Sequence, residues 1–326
     1  MAIMMAPEWL VDNSLFAVNR QLRTGNWELS RETKDMAREL IGVMGGTGLG
    51  DALAGQLSAV EFREVETPFG KPSGPILLGS LGTRRIAFLN RHGEGHKLSP
   101  SAVPYAANIF ALKQLGVHTV IASGAVGSLR DKIAPGHLVL VHQFIDKTCR
   151  RASTFFGKFG AVHCEMADPV CSRLRKTLAH VATGLDVTTH SDGTYVCMEG
   201  PQFSTRAESL MHRSWGGDLI GMTALPEAKL AREAQMCYAL VALASDYDCW
   251  RPHDKSKGKQ TLLKEIFSNL KTATDNSLTL IEALLAGEES LVNEDCPCRK
   301  SLELAVWTSP NSIDPEEKER LAPLFE

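Results

Sequence analysis

The sequence predicts an α/β protein, and three observations support this class. Short apolar runs alternate with stretches of helical spacing from residue 41 onward, which is typical of α/β folds. Several of these runs end in Gly, Thr, Arg, His or Asp, and ligands bind at strand ends in such folds. The chain has 326 residues, of which 44% are hydrophobic and 22% charged, so it can bury a large core and has an ordinary globular composition.

Hydrophobic spacing places strands and helices along the chain in alternating order. The predicted strands and extended segments are residues 41–44, 76–78, 85–89, 119–122, 138–141, 187–198, 218–222 and 238–244. The predicted helices are residues 103–115, 174–181, 206–215, 226–234 and 262–286. Gly116 ends the first helix, and an apolar stripe that Thr274 interrupts marks the last one. The continuously apolar residues 238–244 indicate a buried strand.

The pattern divides the chain into an N-terminal extension (residues 1–40), a domain (residues 41–287) and a C-terminal tail (residues 288–326). The net charge of −3 gives no indication of a nucleic-acid or membrane surface. No apolar run approaches the ~18 residues that span a bilayer. The first 20 residues lack the basic and apolar regions of a signal peptide. We therefore expect a cytoplasmic protein whose eight cysteines are reduced thiols.

Two predicted strands run into motifs suited to binding an anion. Gly-Gly-Thr-Gly at 45–48 lets the backbone turn sharply and adds the hydroxyl of Thr47, although a plain strand-end turn is the simpler explanation of this motif alone. Arg91 and His92 close another strand, where the arginine fork matches phosphate oxygens and the histidine adds a donor. The alternative for this pair is a surface arginine and a core histidine. Neither motif is a GxGxxG or Walker A sequence, which counts against dinucleotide or ATP binding.

Two aspartates, Asp246 and Asp248, directly follow the apolar strand at residues 238–244. Carboxylates at a buried strand end need a partner. Residues i and i+2 of an extended chain point to the same side, so both carboxylates are expected to face one ligand. Small residues at 123–128 follow another buried strand and let backbone N–H groups reach a ligand. One ligand site formed by residues at several strand ends explains all these features together.

As a set, the motifs resemble the methylthioadenosine phosphorylase branch of the purine nucleoside phosphorylases. They are Gly-Gly-Thr-Gly at 45–48, Thr-Pro-Phe-Gly-Lys-Pro-Ser at 67–73, Arg-His-Gly at 91–93, Gly-Ser-Leu-Arg at 127–130, Glu-Gly-Pro-Gln-Phe-Ser at 199–204, Met-Thr at 222–223 and Ser-Asp-Tyr-Asp-Cys-Trp at 245–250. The resemblance covers about residues 41–285. It implies a mixed central β-sheet flanked by helices and a homotrimer. It also implies that phosphate splits methylthioadenosine into adenine and 5-methylthioribose 1-phosphate, without metal or organic cofactor.

The resemblance also implies individual roles. Phosphate would be bound by Thr47, Arg91, His92, the Ala125 backbone and Thr223. The nucleoside would be bound by Phe203 on the base, Met222 under the ribose, Asp246 and Asp248 at the purine, and His163 from a neighbouring subunit at the 5′ side. Asp246 would protonate N7 as general acid, and Asp248 would accept from the 6-amino group. A 6-oxopurine offers no such donor, so the pair favours adenine.

Two departures from the family pattern leave alternatives open. Gly124 stands where relatives have a threonine that touches phosphate, and Lys259 and Gln260 stand where apolar residues line the methylthio pocket. A phosphorylase of adenosine, inosine or methylthioinosine is therefore the nearest alternative. A catalytically silent binding protein would have no need of Arg91 and both aspartates. A Rossmann oxidoreductase would need the glycine fingerprint that this chain lacks.

The tail carries Cys296-Pro-Cys298, which fits a short disulfide, half of a metal site or two buried thiols. A metal would need further ligands at the usual spacing, and the sequence shows none. The prediction is two thiols or a redox-sensitive pair, with no metal site.

Overall fold

An eleven-stranded mixed β-sheet forms the centre of the computed structural model, which describes residues 39–46, 48–82, 84–252, 258–287 and 289–326. The strands are β1 (Leu40–Gly45), β2 (Ser58–Arg63), β3 (Ile76–Leu81), β4 (Arg84–Asn90), β5 (Thr119–Ser128), β6 (Leu138–Leu140), β7 (Gln143–Asp146), β8 (Thr189–His190), β9 (Thr194–Cys197), β10 (Leu219–Gly221) and β11 (Cys237–Asp246). The α-helices of the described residues are α1 (Leu49–Ala54), α2 (Tyr105–Gln114), α3 (Ser172–Ala182), α4 (Arg206–Ser214), α5 (Glu227–Glu233), α6 (Lys259–Ala286) and α7 (Pro315–Leu321). Thr47 and residues 1–38 of the N-terminal extension lie outside the described residues.

Strand β5 organises the sheet. Its first half lies between β1 and β11, and both pairs are parallel. Its end pairs antiparallel with β10. Strand β1 also pairs in parallel with β4, while β2, β3 and β4 form an antiparallel edge. The expected mixed sheet with flanking helices is therefore confirmed.

Both faces of the sheet are covered, which explains the continuous apolar run in β11. Its alternate residues Leu240, Ala242 and Ala244 belong to one hydrophobic core, and Ala239, Val241 and Leu243 belong to the other. This alternation is expected because successive side chains of a strand point to opposite faces. Helices α2 and α5 contribute to the first core, and α3 and α6 to the second. No helix of the described residues combines the length and apolarity needed to cross a bilayer.

Two strands were absent from the sequence prediction because burial gives them no pattern. All residues of β2 are exposed or half-buried, and Phe62 is 69% exposed. Strand β7 is likewise half-buried to exposed along its length. An alternation of buried and exposed side chains is the signal that identifies a strand in a sequence, and neither segment provides it.

The C-terminal tail packs back onto the domain. The ring of Phe325 stacks on Phe159 at 5.6 Å between centroids and contacts Phe156 at 6.0 Å. The backbone N–H of Trp307 donates to the carbonyl of Ala161 at 2.9 Å. The tail therefore forms part of the hydrophobic core that covers one face of the sheet.

Candidate active site

A gap in strand pairing runs along one edge of β5, and we call this gap the crevice. Strand β1 pairs with residues 119–122 of β5, and β10 pairs with residues 127–128. Within the described part of the chain, neither strand pairs with residues 123–126, so one edge of this stretch has no strand beside it. Strands β1, β4, β5 and β11 are mutually parallel, so their carboxyl ends meet at this edge. Such a switch point is where ligands bind in open α/β sheets.

Arg91 follows β4 and reaches this crevice as a buried cation. It is 1% exposed, and its backbone N–H donates to the carbonyl of Gly45 at 2.9 Å. Its Nε and Nη2 donate to the two carboxylate oxygens of Glu227 at 2.6 and 2.8 Å, and its Nη1 donates to the carbonyl of Ser123 at 2.7 Å. Burial opposes the charge, but the carboxylate of Glu227 outweighs it and raises the pKa of Arg91.

Glu227 is a site residue to which the sequence analysis gave no role. It begins α5, is fully buried, and also accepts a hydrogen bond from Tyr238 Oη at 2.8 Å. A buried cation needs a buried anion, so Glu227 accounts for the burial of Arg91. The sequence signal was limited to a carboxylate at the start of a predicted helix.

Gly124 and Thr223 lie beside Arg91. A Cβ placed on Gly124 would be 3.6 Å from Thr223 Oγ1 and 3.9 Å from Arg91 Nη1. The backbone N–H of Thr223 donates to Tyr195 Oη at 3.4 Å. Ala125 follows on the unpaired stretch of β5 and is exposed. The structure therefore brings Arg91, Thr223 and the backbone around Ala125 together.

His92 is mostly buried, and one of its ring nitrogens has a hydrogen-bond partner. Its Nδ1 lies 2.8 Å from the carbonyl of Leu98, so Nδ1 carries the proton and donates. Burial, together with the positive charge of Arg91, lowers the pKa of His92 to about 4. The ring is therefore neutral near pH 7 and its Nε2 is an acceptor, whereas the sequence analysis expected a donor.

Asp246 and Asp248 lie at the other end of the unpaired stretch. A Cβ on Gly127 would be 3.3 Å from Asp246 Oδ1 and 3.1 Å from Asp248 Cβ. Ser245 Oγ donates to Asp246, and Ser209 Oγ donates to Asp248, at 2.7 and 2.5 Å. Burial raises the pKa of Asp248, and the charge of Asp246 raises it further.

The two aspartates come together by a different geometry from the one expected. Strand β11 ends at Asp246, and Asp248 has a left-handed backbone with φ of 45°. The backbone N–H of Asp248 donates to Asp246 Oδ1 at 2.7 Å, which closes a short turn. The expectation of an extended chain through residue 248 is therefore wrong. The carboxylate of Asp246 captures the backbone two residues on, as aspartates commonly do in turns.

A buried arginine that the sequence analysis missed holds the loop around Met222. The Nη1 of Arg151 donates to the carbonyls of Met222 and Leu225 at 2.5 and 2.7 Å, and its Nη2 donates to the carbonyl of Glu199 at 2.7 Å. Burial opposes the ionisation of Glu199, but hydrogen bonds from Ser101 and the backbone lower its pKa to about 2. This network fixes the position of Met222 beside the crevice.

The contacts of Phe203 and His163 do not place either side chain among the strand-end groups. Phe203 is 85% exposed, in the loop that leads to α4. His163 is exposed, and its ring packs edge-on against Trp307 of the tail at 5.1 Å between centroids. Their assigned roles, on the base and in a neighbouring subunit's site, stay predictions.

The mixed sheet with its flanking helices is the fold of the phosphorylase superfamily, whose family model matches residues 40–286. The chain is 47% identical to the S-methyl-5′-thioadenosine phosphorylase of Cereibacter sphaeroides over 86% of its own length and 94% of that protein. It is 45% identical to the enzyme of the same name from Geobacter sulfurreducens, over 87% and 96%. The chain belongs to the S-methyl-5′-thioadenosine phosphorylases.

Two solved structures share this fold with clear sequence similarity. A methylthioadenosine phosphorylase from an antarctic soil metagenomic library superimposes with a TM-score of 0.78 and 40% identity, over 88% of this chain and 99% of that one. An adenosine/methylthioadenosine phosphorylase from Schistosoma mansoni gives a TM-score of 0.73 and 33% identity, over 82% and 96%.

Proposed function

We propose that the crevice along β5 holds phosphate at one end and the purine at the other, and cleaves the N-glycosidic bond of S-methyl-5′-thioadenosine between them. The observation that carries this proposal is the unpaired stretch at residues 123–126, with Arg91 and Thr223 near Gly124 and two aspartates near Gly127. Three residues of strand separate the two ends by about 10 Å. The products are adenine and 5-methylthioribose 1-phosphate.

Phosphate binding rests on Arg91, the backbone of Ala125, Thr223, His92 and Thr47. A guanidinium has five N–H donors, and described residues use three of those on Arg91. One donor on Nη1 and one on Nη2 remain for phosphate. Neutral His92 then acts as an acceptor from the hydroxyl of hydrogen phosphate, rather than as a donor.

Bond cleavage needs charge to leave the sugar for the purine, because the transition state resembles an oxocarbenium ion. Asp246 donates a proton to N7 as general acid, and Asp248 accepts from the 6-amino group. Met222 lies under the ribose and Phe203 on the base. The phosphate dianion stabilises the cationic sugar and attacks it, so positioning contributes much of the catalysis.

No metal or organic cofactor takes part in this reaction. The protein acts in the cytoplasm as a homotrimer, in which His163 of one subunit reaches the 5′ side of a neighbouring site. The exposure of His163 leaves it accessible to another subunit. Sedimentation should give three chains per particle, and an active monomer would overturn the assignment of His163.

The reaction is tested with a panel of nucleosides. Purified protein is incubated with methylthioadenosine, adenosine, inosine and methylthioinosine, each with and without phosphate, and free base is measured. Adenine released from methylthioadenosine only when phosphate or arsenate is present is the expected result. Base release independent of phosphate, or none from any nucleoside, would contradict the proposal. Comparable turnover of adenosine would instead favour a broader specificity, as in the name of the adenosine/methylthioadenosine phosphorylase from Schistosoma mansoni.

A further inference from the structure

Four cysteines that are far apart in the sequence meet in the core at the opposite end of β11 from the candidate active site. Cys171 precedes α3, Cys237 begins β11, and Cys296 and Cys298 lie in the tail. All four are at most 5% exposed, and their sulfur atoms lie within 4.8 Å of one another. Cys171 Sγ and Cys296 Sγ are 3.7 Å apart. We propose that these four sulfurs bind one zinc ion with a structural role.

The spacing of the sulfurs fits a tetrahedral ion. Zinc–sulfur bonds of about 2.3 Å place the four sulfurs of a tetrahedral site roughly 3.8 Å apart. All sulfur–sulfur distances in the cluster are within 4.8 Å, so binding the ion requires only a small contraction. The Cys-Pro-Cys spacing is tighter than usual, but a 3₁₀ turn over Pro297–Lys300 brings both tail sulfurs into the cluster.

The surrounding charges fit the same ion. Zinc with four thiolates carries a net charge of −2, because binding releases the thiol protons to solvent. Arg173 Nη2 lies 3.9 Å from Cys237 Sγ, and Arg232 Nη1 lies 3.6 Å from Cys298 Sγ. Among the residues that the structure describes, neither guanidinium forms an ion pair with a carboxylate. Arg232 is 8% exposed and would lack a counter-charge against four neutral thiols, whereas a zinc tetrathiolate supplies one to it and to the half-buried Arg173.

Hydrogen bonds to sulfur complete the site. The backbone N–H of Leu174 donates to Cys171 Sγ at 3.5 Å, in the N-cap position of α3. Donors of this kind orient metal ligands from the second layer around an ion. Four protein ligands leave no open position, which marks a structural rather than a catalytic zinc. The ion would tie the tail to α3 and to the start of β11, about 30 Å along the strand from Asp246.

The proposal is tested on the full-length protein, purified under reducing conditions without chelators. Elemental analysis should find about one zinc per chain. Cobalt exchanged for the zinc should show the thiolate charge-transfer and d–d absorption of a tetrahedral sulfur site. The Cys298→Ser variant should lose the zinc and melt roughly 10 °C lower. The matched Cys149→Ser control, whose cysteine is exposed outside the cluster, should keep both.

Thiol counting separates the zinc site from a disulfide. After denaturation with a chelator and no reductant, all eight cysteines should titrate as free thiols. Two fewer thiols, with a disulfide mapped by mass spectrometry among the four, would overturn the proposal. So would wild-type protein that carries no zinc and gives no cobalt–thiolate spectrum, a result that does not depend on whether Cys298→Ser folds.

Discussion

Arg91 and Glu227 form a two-point ion pair inside the protein, with Nε and Nη2 of the guanidinium 2.6 and 2.8 Å from the two carboxylate oxygens. The pair fixes the plane of the guanidinium and occupies its Nε and Nη2 edge. The Ser123 carbonyl takes a third donor. Arg91 therefore presents a fixed orientation and two remaining donors to an anion, rather than a free fork.

Removal of Arg91 should weaken the use of phosphate more than the use of nucleoside. Arg91→Ala is expected to raise KM for phosphate by about 10–100-fold, because hydrogen bonds to a charged group are lost. Arg91→Lys should restore little of this, since an ammonium cannot match both Glu227 and phosphate. Steady-state kinetics with varied phosphate and saturating nucleoside measure the effect. Unchanged phosphate kinetics in Arg91→Ala would remove Arg91 from the phosphate site.

Glu227→Gln should act on phosphate through Arg91. The guanidinium keeps its charge but loses its buried counter-ion and its fixed plane, so KM for phosphate should rise and the protein should lose about 3–5 kcal/mol of stability. Denaturant unfolding and phosphate kinetics check the two parts separately. Loss of stability with normal phosphate kinetics would show that Glu227 only compensates a buried charge.

Gly124 offers a gain-of-function test. It needs no positive φ, and a Cβ there meets Thr223 Oγ1 and Arg91 Nη1 only at ordinary contact distance, so the position has room for a Cβ. Gly124→Thr is expected to lower KM for phosphate about tenfold, because its hydroxyl adds a hydrogen bond to a charged ligand. Gly124→Ala is the matched control, since it fills the same space without a hydroxyl. Equal KM values for both variants would show that the threonine hydroxyl does not reach phosphate.

A buried carboxylate in α5 should make stability depend on pH. Burial raises the pKa of Glu233 to about 7, although the backbone N–H of Phe155 donates to it at 2.7 Å. The folded chain therefore keeps a proton that the unfolded chain loses near its ordinary pKa, so stability falls as pH rises from about 4.5 to about 7. Glu233→Gln removes this loss. The unfolding free energy of the variant minus that of the wild type should be about 2 kcal/mol larger at pH 8 than at pH 5. A difference that does not change with pH would refute the assignment.

Much of the fold could be predicted because burial leaves a pattern in the sequence. The apolar run in β11 and the polar groups at strand ends indicated both the sheet and the edge that carries the candidate site. Strand β2 gave no such pattern, since its side chains are exposed or half-buried. The left-handed turn at Asp248 depends on a local hydrogen bond to Asp246, and strand periodicity does not predict it.

Partners that are distant in the chain were the main gap in the site prediction. Glu227 lies 136 positions after Arg91, and neither residue alone indicates that they pair. Cys171 and Cys296 are 125 positions apart, so the tail cysteines were interpreted without the two that the fold brings to them. A single sequence shows how residues are spaced along the chain. It does not show which distant residues meet, because these contacts form only when the chain folds.

The last prediction separates the roles that we propose for Asp246 and Asp248 at the base. Asp246 accepts hydrogen bonds from Ser245 and from the backbone of Asp248, while burial and the charge of Asp246 raise the pKa of Asp248. Asp248 therefore holds a proton more readily than an exposed carboxylate does, and it lies beside the carboxylate of Asp246 that is assigned to N7. Asp246→Asn should lower kcat/KM for methylthioadenosine by about 10²–10⁴, because an amide can hydrogen-bond N7 but cannot give up a proton.

Asp248→Asn should instead shift preference toward 6-oxopurines, because its amide can donate to a carbonyl at position 6. The measurement is kcat/KM for methylthioadenosine and methylthioinosine in both variants. Asp248→Asn should also lose any dependence of turnover on the raised pKa of Asp248, since an amide does not titrate. If Asp248→Asn loses turnover on both substrates and Asp246→Asn changes only the preference, Asp248 is the acid and the two roles are exchanged. If neither variant changes either quantity, the aspartates do not contact the base.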